Sequence, residues 1–266
     1  MDLYLKTSQA CARIFTNSYS SSFSLASRMF HASIRTHIYA IYGMTRLADE
    51  IVDTYKGPDS AELLDALEQE VYAAIARGYS TNPLLEAYQQ TANTFGIDAD
   101  VIRPFFASMR TDLTKTTFTR SEYVRYIYGS AEVVGLMCLK VFVNGDTAAY
   151  ESRREAAAAL GAAYQKINFL RDLAADHKDL GRMYFPGLSY ETFNQRDMDS
   201  IIKDIKSDFA KAQPAIQQLP AAAKRAVNAS YKYYSALLTK LEATPAEVIK
   251  VKRIRINNIR KVMMLV

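Results

Sequence analysis

An all-α protein is what this sequence predicts, and three observations predict it. Apolar residues recur at three-to-four spacing, as Ile38, Ile41, Tyr42, Thr45, Ala48 and Val52 do, which is the pattern of an amphipathic helix. Helix breakers are scarce, with 10 Gly and 7 Pro in 266 residues. No segment shows the strict apolar–polar alternation of a half-buried strand. The expectation is a single bundle of roughly ten helices around a central cavity, as one domain over residues 1–266.

Each element has its own signal. The helix through Ile38–Val52 stops near Lys56-Gly57-Pro58. Asp59, with Glu62 three residues on, reads as a capping box for the next helix. Asn82-Pro83 pairs an N-cap with Pro at the first helical position. Residues 148–177 read as one long Ala-rich helix ending around Asp179-Leu180-Gly181, with Pro186 beyond. Pro220 opens another helix, which runs through Tyr231, Tyr233 and Tyr234. No solenoid repeat and no low-complexity tail interrupt the pattern.

Composition narrows the function classes. Apolar residues make up 49% of the chain, ample for a core. Cys11 and Cys138 form neither a disulfide framework nor a zinc spacing, so a reducing, cytoplasmic setting is expected. The N-terminus lacks the basic-then-apolar pattern of a signal peptide, and no run approaches the ~18–20 apolar residues of a membrane span. Net charge is +5, and Lys250, Lys252, Arg253, Arg255, Arg260 and Lys261 concentrate part of it near the C-terminus. That stretch suits a solvated helix face, a substrate diphosphate or peripheral contact with anionic lipid. No nucleic-acid motif accompanies it.

Two pairs of aspartates carry the chemistry. Asp49 and Asp53, and Asp172 and Asp176, are each four residues apart, so on a helix each pair shares a face. Facing each other across a cavity, two such clamps suit a hard divalent ion, Mg²⁺ with Mn²⁺ as the alternative, completed by substrate phosphates. Gln165 and Asn168 extend the second pair along one stripe. Burying four polar groups there without partners would cost about 1–3 kcal/mol each. Arg46 precedes the first pair; it suits bidentate contact with phosphate and equally an intrahelical pair with Asp49 or Glu50. Glu50 is a third acidic position. His31 and His37 read as surface or capping residues, and His177 sits about 100° around the helix from Asp176.

These residues fall in stretches with a family resemblance. Ser20-Ser21-Ser22-Phe23 resembles the Ser-x-Ser-Phe element of the squalene/phytoene synthase family. Ala40 to Asp53 is similar to its first aspartate-rich motif, and Tyr126 to Gly135 to its mid-chain Tyr-Gly element. Gln165 to Asp176, followed by Arg182-Met183-Tyr184-Phe185-Pro186, resembles its second motif and trailing Arg-x-Tyr-x-Pro. The elements occur in family order over residues 20–186, in a variant most similar to bacterial carotenoid-pathway members. Where many members carry Gly-Thr, this chain has Glu132-Val133, which leaves the shape of that cavity wall open. The chain also ends earlier than many relatives, so a shortened C-terminus is expected.

The resemblance implies an isoprenoid-synthase-type bundle and head-to-head (1′–1) condensation of two allylic diphosphates through a cyclopropyl intermediate. Asp49, Asp53, Asn168, Asp172 and Asp176 are the implied metal ligands. Ser20, Ser22, Phe23, Arg46, Gln165, Asn168, Arg182 and Tyr184 are the implied substrate contacts, with Tyr42 and Tyr128 at the reacting cation. The final base stays unassigned. With no dinucleotide motif, NADPH is not expected, and the product implied is phytoene from two geranylgeranyl diphosphates. Dehydrosqualene or squalene from two farnesyl diphosphates is the alternative. A monomer or weak dimer is expected. An inactive relative or a single-substrate terpene cyclase fits less well, because all four aspartates are present at i, i+4 spacing.

Overall fold

The computed structural model describes residues 2–55 and 57–257, and of Ser21 and Ser22 the backbone alone. Helix α1 (Leu3–Tyr19) packs on α3 (Ala32–Asp49) through small residues, Ser8, Ala12 and Thr16, which let the two axes come close. The short α2 (Ser21–Ser27) starts at Ser20, whose hydroxyl accepts a hydrogen bond from the Phe23 N–H at 3.2 Å. His31 caps α3 by accepting from the Ser33 N–H. The helix then widens into a π-helical turn, Glu50–Tyr55, and stops where the sequence predicts.

Helices α4 (Ser60–Arg77), α5 (Pro83–Phe95) and α6 (Ala99–Asp112) follow, the first two closed by left-handed Gly78 and Gly96. Asn82 caps α5 as predicted, accepting from the Leu84 N–H at 3.0 Å. The capping box at Asp59 does not form: its carboxylate takes the Tyr55 hydroxyl at 2.7 Å instead. Helix α7 (Arg120–Ile127) leads through a second π turn, Tyr128–Glu132, into α8 (Val133–Phe142). The long helix predicted over 148–177 is two. A short α9 (Thr147–Glu151) is broken at Ser152-Arg153 from α10 (Arg154–Leu180), which ends at left-handed Gly181. Helices α11 (Gln195–Gln217), α12 (Ala221–Glu242) and α13 (Ala246–Ile249) complete the bundle.

Two apolar clusters flank the interior. Ile38, Ile41, Met44, Tyr88, Phe105 and Met137 join α3, α5, α6 and α8. Ile167, Leu170, Phe193, Ile205, Leu237 and Ile254 join α10–α12 and the C-terminal segment. Each fully buried side chain of this size contributes about 1.5–3 kcal/mol. The second π turn is wedged between helices by two glycines: a Cβ on Gly129 would lie 2.2 Å from the Pro104 carbonyl oxygen, and one on Gly161 2.7 Å from that of Ala131. Among the described residues the β content is one isolated bridge, Thr117 with Met183.

Candidate active site

The two aspartate pairs do meet. Asp49 is the last α-helical residue of α3, and Asp53 lies in the π turn, where hydrogen bonds run i→i+5 and alter its angle relative to an unbroken α-helix. Asp172 and Asp176 lie on α10. Burial, then repulsion from Asp172, push Asp176 up to about 7 against the pull of Arg182, and Asp53 adds to the push from across the interior. Asp49, whose side chain is about a third open to the cavity, is likewise pushed to about 7 by its low-polarity surroundings, against Arg46. A fifth carboxylate, Asp112 at the end of α6, closes the group. Burial raises it to about 7 although Arg182 and the Tyr126 hydroxyl, 2.9 Å away, both oppose the shift.

Arginines knit this acidic centre together. Buried Arg182 donates to Asp53 Oδ1 at 3.3 Å, to the Tyr184 hydroxyl at 3.2 Å and to the Asp112 carbonyl. It reaches that position because the Met183 N–H bonds the Thr116 carbonyl at 2.8 Å, bringing the chain after α10 beside the end of α6. Arg46 pairs with Glu50 and lies 3.6 Å from Asp49, with its guanidinium 4.6 Å over the Tyr19 ring. Asp172 accepts from neighbouring Arg171 and, at 3.2 Å, from Arg253 of the C-terminal segment. With cations between them, no three acidic, His or Cys side chains form a ready-made metal cage among the described residues.

Two cavities open beside the carboxylates. A mouth of about 670 Å³ is lined by Tyr19, Ser20, Arg46, Arg171, Arg253 and Arg255 among others. An apolar tunnel of about 380 Å³ starts at Asp49, Gln165 and Asn168 and runs between α3, α8, α10, α11 and α12. Phe23, Tyr42, Asn168 and Tyr234 belong to both, so the cavities share a wall. Phe23 stacks on Tyr42 with ring centres 4.9 Å apart.

Most residues singled out by sequence converge here, and six of them line neither cavity: Asp53, Asp172, Asp176, Tyr128, Arg182 and Tyr184. Tyr128 lies beside Arg154 at the start of α10 and outside both walls. Arg182 and Tyr184 act on Asp53 and Asp112 from behind, with Tyr184 stacked on Phe169 at 3.9 Å. The Ser22 side chain lies outside the described residues, as do Arg260 and Lys261. Glu132 faces Asp208, Lys166 and Lys211 and is not part of the tunnel wall. Sequence reasoning missed Asp112 and Arg171. Asp112 has no periodic acidic partner to mark it, whereas Arg171, directly before Asp172, carried a signal by position.

The squalene/phytoene synthase family model matches residues 16–260, and the chain belongs to that family. It is 32% identical over 247 residues to a chloroplastic phytoene synthase of Zea mays, covering 85% of this chain and 59% of the relative. It is 32% identical over 206 residues to a phytoene synthase of Arthrospira platensis, covering 72% and 64%. The matches thus span about three fifths of those two relatives. Among solved structures, a dehydrosqualene synthase aligns over 98% of this chain and 95% of its own, with a TM-score of 0.82 and 21% identity. A squalene synthase from Alicyclobacillus acidocaldarius aligns over 91% and 96%, with a TM-score of 0.81 and 22% identity. Both share its all-α fold.

Proposed function

We propose that this chain condenses two geranylgeranyl diphosphates head to head, through a cyclopropyl diphosphate, to phytoene. One juxtaposition supports the reading: Asp49 of α3, with Gln165 and Asn168 just before Asp172 on α10, lines the start of an apolar tunnel, with arginines around the adjoining mouth. A donor with a diphosphate at one end and a long hydrocarbon at the other has that polarity. The shared wall of the two cavities gives two donors a place to meet, and the phytoene synthase relatives favour the C20 donor.

Asp49, Asp53, Asp172 and Asp176, with Asn168 as a neutral oxygen donor, would hold Mg²⁺ or Mn²⁺. They fit a hard cation: the donors are all oxygen, and burial with mutual repulsion raises Asp49 and Asp176, a demand for positive charge that the arginines leave unmet. When bound, the metal supplies Lewis-acid stabilisation of the departing diphosphate.

The chain's own groups do the rest. Arg46, Arg171 and Arg253 donate to phosphate oxygens, and Arg182 orients Asp53. Gln165 and Asn168 orient the donor at the tunnel entrance. Phe23 and Tyr42 offer ring faces to the allylic cation, about 0.5–2 kcal/mol each, without attacking it. The apolar walls exclude water from that cation. The reading needs no NADPH.

The test is product analysis with Mg²⁺ and either C15 or C20 allylic diphosphate, with and without NADPH. Phytoene from the C20 donor without NADPH is expected. Dehydrosqualene or squalene from the C15 donor alone would move the substrate, and no hydrocarbon from folded protein would overturn the condensation.

A further inference from the structure

The apolar tunnel ends at a seam where four chain segments meet. Phe30, in the turn between α2 and α3, stacks on Phe142 at the end of α8 with ring centres 5.3 Å apart. Arg153, in the break between α9 and α10, donates to the Gln218 carbonyl at 3.3 Å in the turn before α12. Its other nitrogen bonds the Ala149 carbonyl and the Ser152 hydroxyl, at 3.0 and 2.9 Å. The His31 N–H joins the same corner by donating to the Ala222 carbonyl at 3.0 Å. Arg153 also lines the tunnel, and its Nε is buried without a hydrogen-bond partner. An arginine at the end of an apolar tunnel has no use for binding hydrocarbon, but its hydrogen-bonded fork makes a rigid stop.

We propose that Arg153 and the Phe30–Phe142 pair form the stop that sets the length of the prenyl tail. The inference rests on the prenyl diphosphate reading above and adds the residues that choose the donor. Asn168 and Arg153 are fifteen residues apart along α10, which at 1.5 Å per residue is about 22 Å. A C20 tail, extended with carbon–carbon bonds of ~1.5 Å, reaches roughly 19 Å, and a C15 tail roughly 14 Å. The longer tail fills the tunnel to the stop; the shorter leaves its last part empty. Ala157 on α10 and Cys138 on α8 both line this distal part. Ala157 lies about 16 Å from Asn168, beyond the reach of C15 and within that of C20.

The test uses Ala157→Phe and Cys138→Phe, which fill the distal part from two helices, and Arg153→Ala, which removes the stop. Each variant is checked for a cooperative melt. Competitive kcat/KM for C15, C20 and C25 diphosphates is then measured, with calorimetric binding of the unreactive thiolo-diphosphate analogues. Either filled variant is expected to lower the C20-to-C15 preference about 100-fold while C15 binding stays within about threefold. Arg153→Ala is expected to raise use of C25 relative to C20 at least ~10-fold. Folded filled variants with an unchanged C20-to-C15 ratio, in binding and in turnover, would overturn the stop. Wild-type protein that binds none of the analogues would instead overturn the prenyl diphosphate reading beneath it.

Discussion

Glu132 closes the second π turn against α11, and burial pushes its carboxyl from 4.5 up to about 7, with Asp208 adding to the shift and Lys166 opposing it. The sign of the effect on stability follows from linkage. Below pH 4.5 both folded and unfolded chains hold the proton; between 4.5 and 7 the unfolded chain ionises first, so stability falls as pH rises. Above about pH 7 the whole cost is present. Glu132→Gln is therefore expected to exceed the parent in stability at pH 8 by about 1–2 kcal/mol, once partial exposure is allowed for. Below pH 4.5 the two should coincide, and denaturant melts at both pH values check it. An equal gap at both would assign the effect to packing. The sequence shows that Glu132 departs from the family pattern. That it faces α11 depends on a turn geometry no local spacing encodes.

At the scale of elements, helix positions were legible because periodicity, caps and breakers act within a few residues. The ends at Tyr55 and Gly181 and the cap at Asn82 follow from such signals. The failures have tertiary causes. Asp59 loses its capping role because the Tyr55 hydroxyl, delivered by the preceding π turn, occupies its carboxylate. The break at Arg153 is held by a bond to Gln218, 65 residues away in sequence. The π turn of Tyr128–Glu132 depends on helices approaching to backbone contact, which Gly161 permits. Gly161→Ala would set its methyl 2.7 Å from the Ala131 carbonyl oxygen, so α10 must move away from the turn. The expected cost is about 1–3 kcal/mol, read as a lower denaturation midpoint with an unchanged denaturant slope. Because the same contact aligns Gln165 one turn on, kcat/KM should fall as well. A variant as stable and active as the parent would show that the turn tolerates a wider gap.

For the whole molecule, the question is where the positive charge goes. Four of the basic residues near the C-terminus lie within the described residues, and three of them are directed inward or held. Arg253 pairs with Asp172, Arg255 lines the mouth, and Lys250 bonds the Glu191 carbonyl and lies 5.5 Å from the Tyr190 ring centre. Ile254 and Ile256, buried and alternating with these arginines, pin the segment to the second core. Sequence alone left lipid, diphosphate and solvent open for this stretch, since a charge run carries no direction. The alternation of buried Ile with mouth-facing Arg favours the diphosphate. With Mg²⁺, inorganic diphosphate is expected to raise the melting temperature of the parent by ligand linkage. Arg253→Met, which keeps the apolar stem, should weaken that binding about tenfold, since a hydrogen bond to a charged group is worth about 1.5–3 kcal/mol and part of it is lost to water. Anionic vesicles at about 0.15 M salt should retain little more protein than neutral ones, because that salt screens exposed charges beyond ~8 Å. Vesicle affinity that is salt-sensitive and untouched by Arg253→Met, with unchanged diphosphate protection, would reassign the stretch to a lipid surface. The mouth would then have to hold a diphosphate with Arg46 and Arg171 alone.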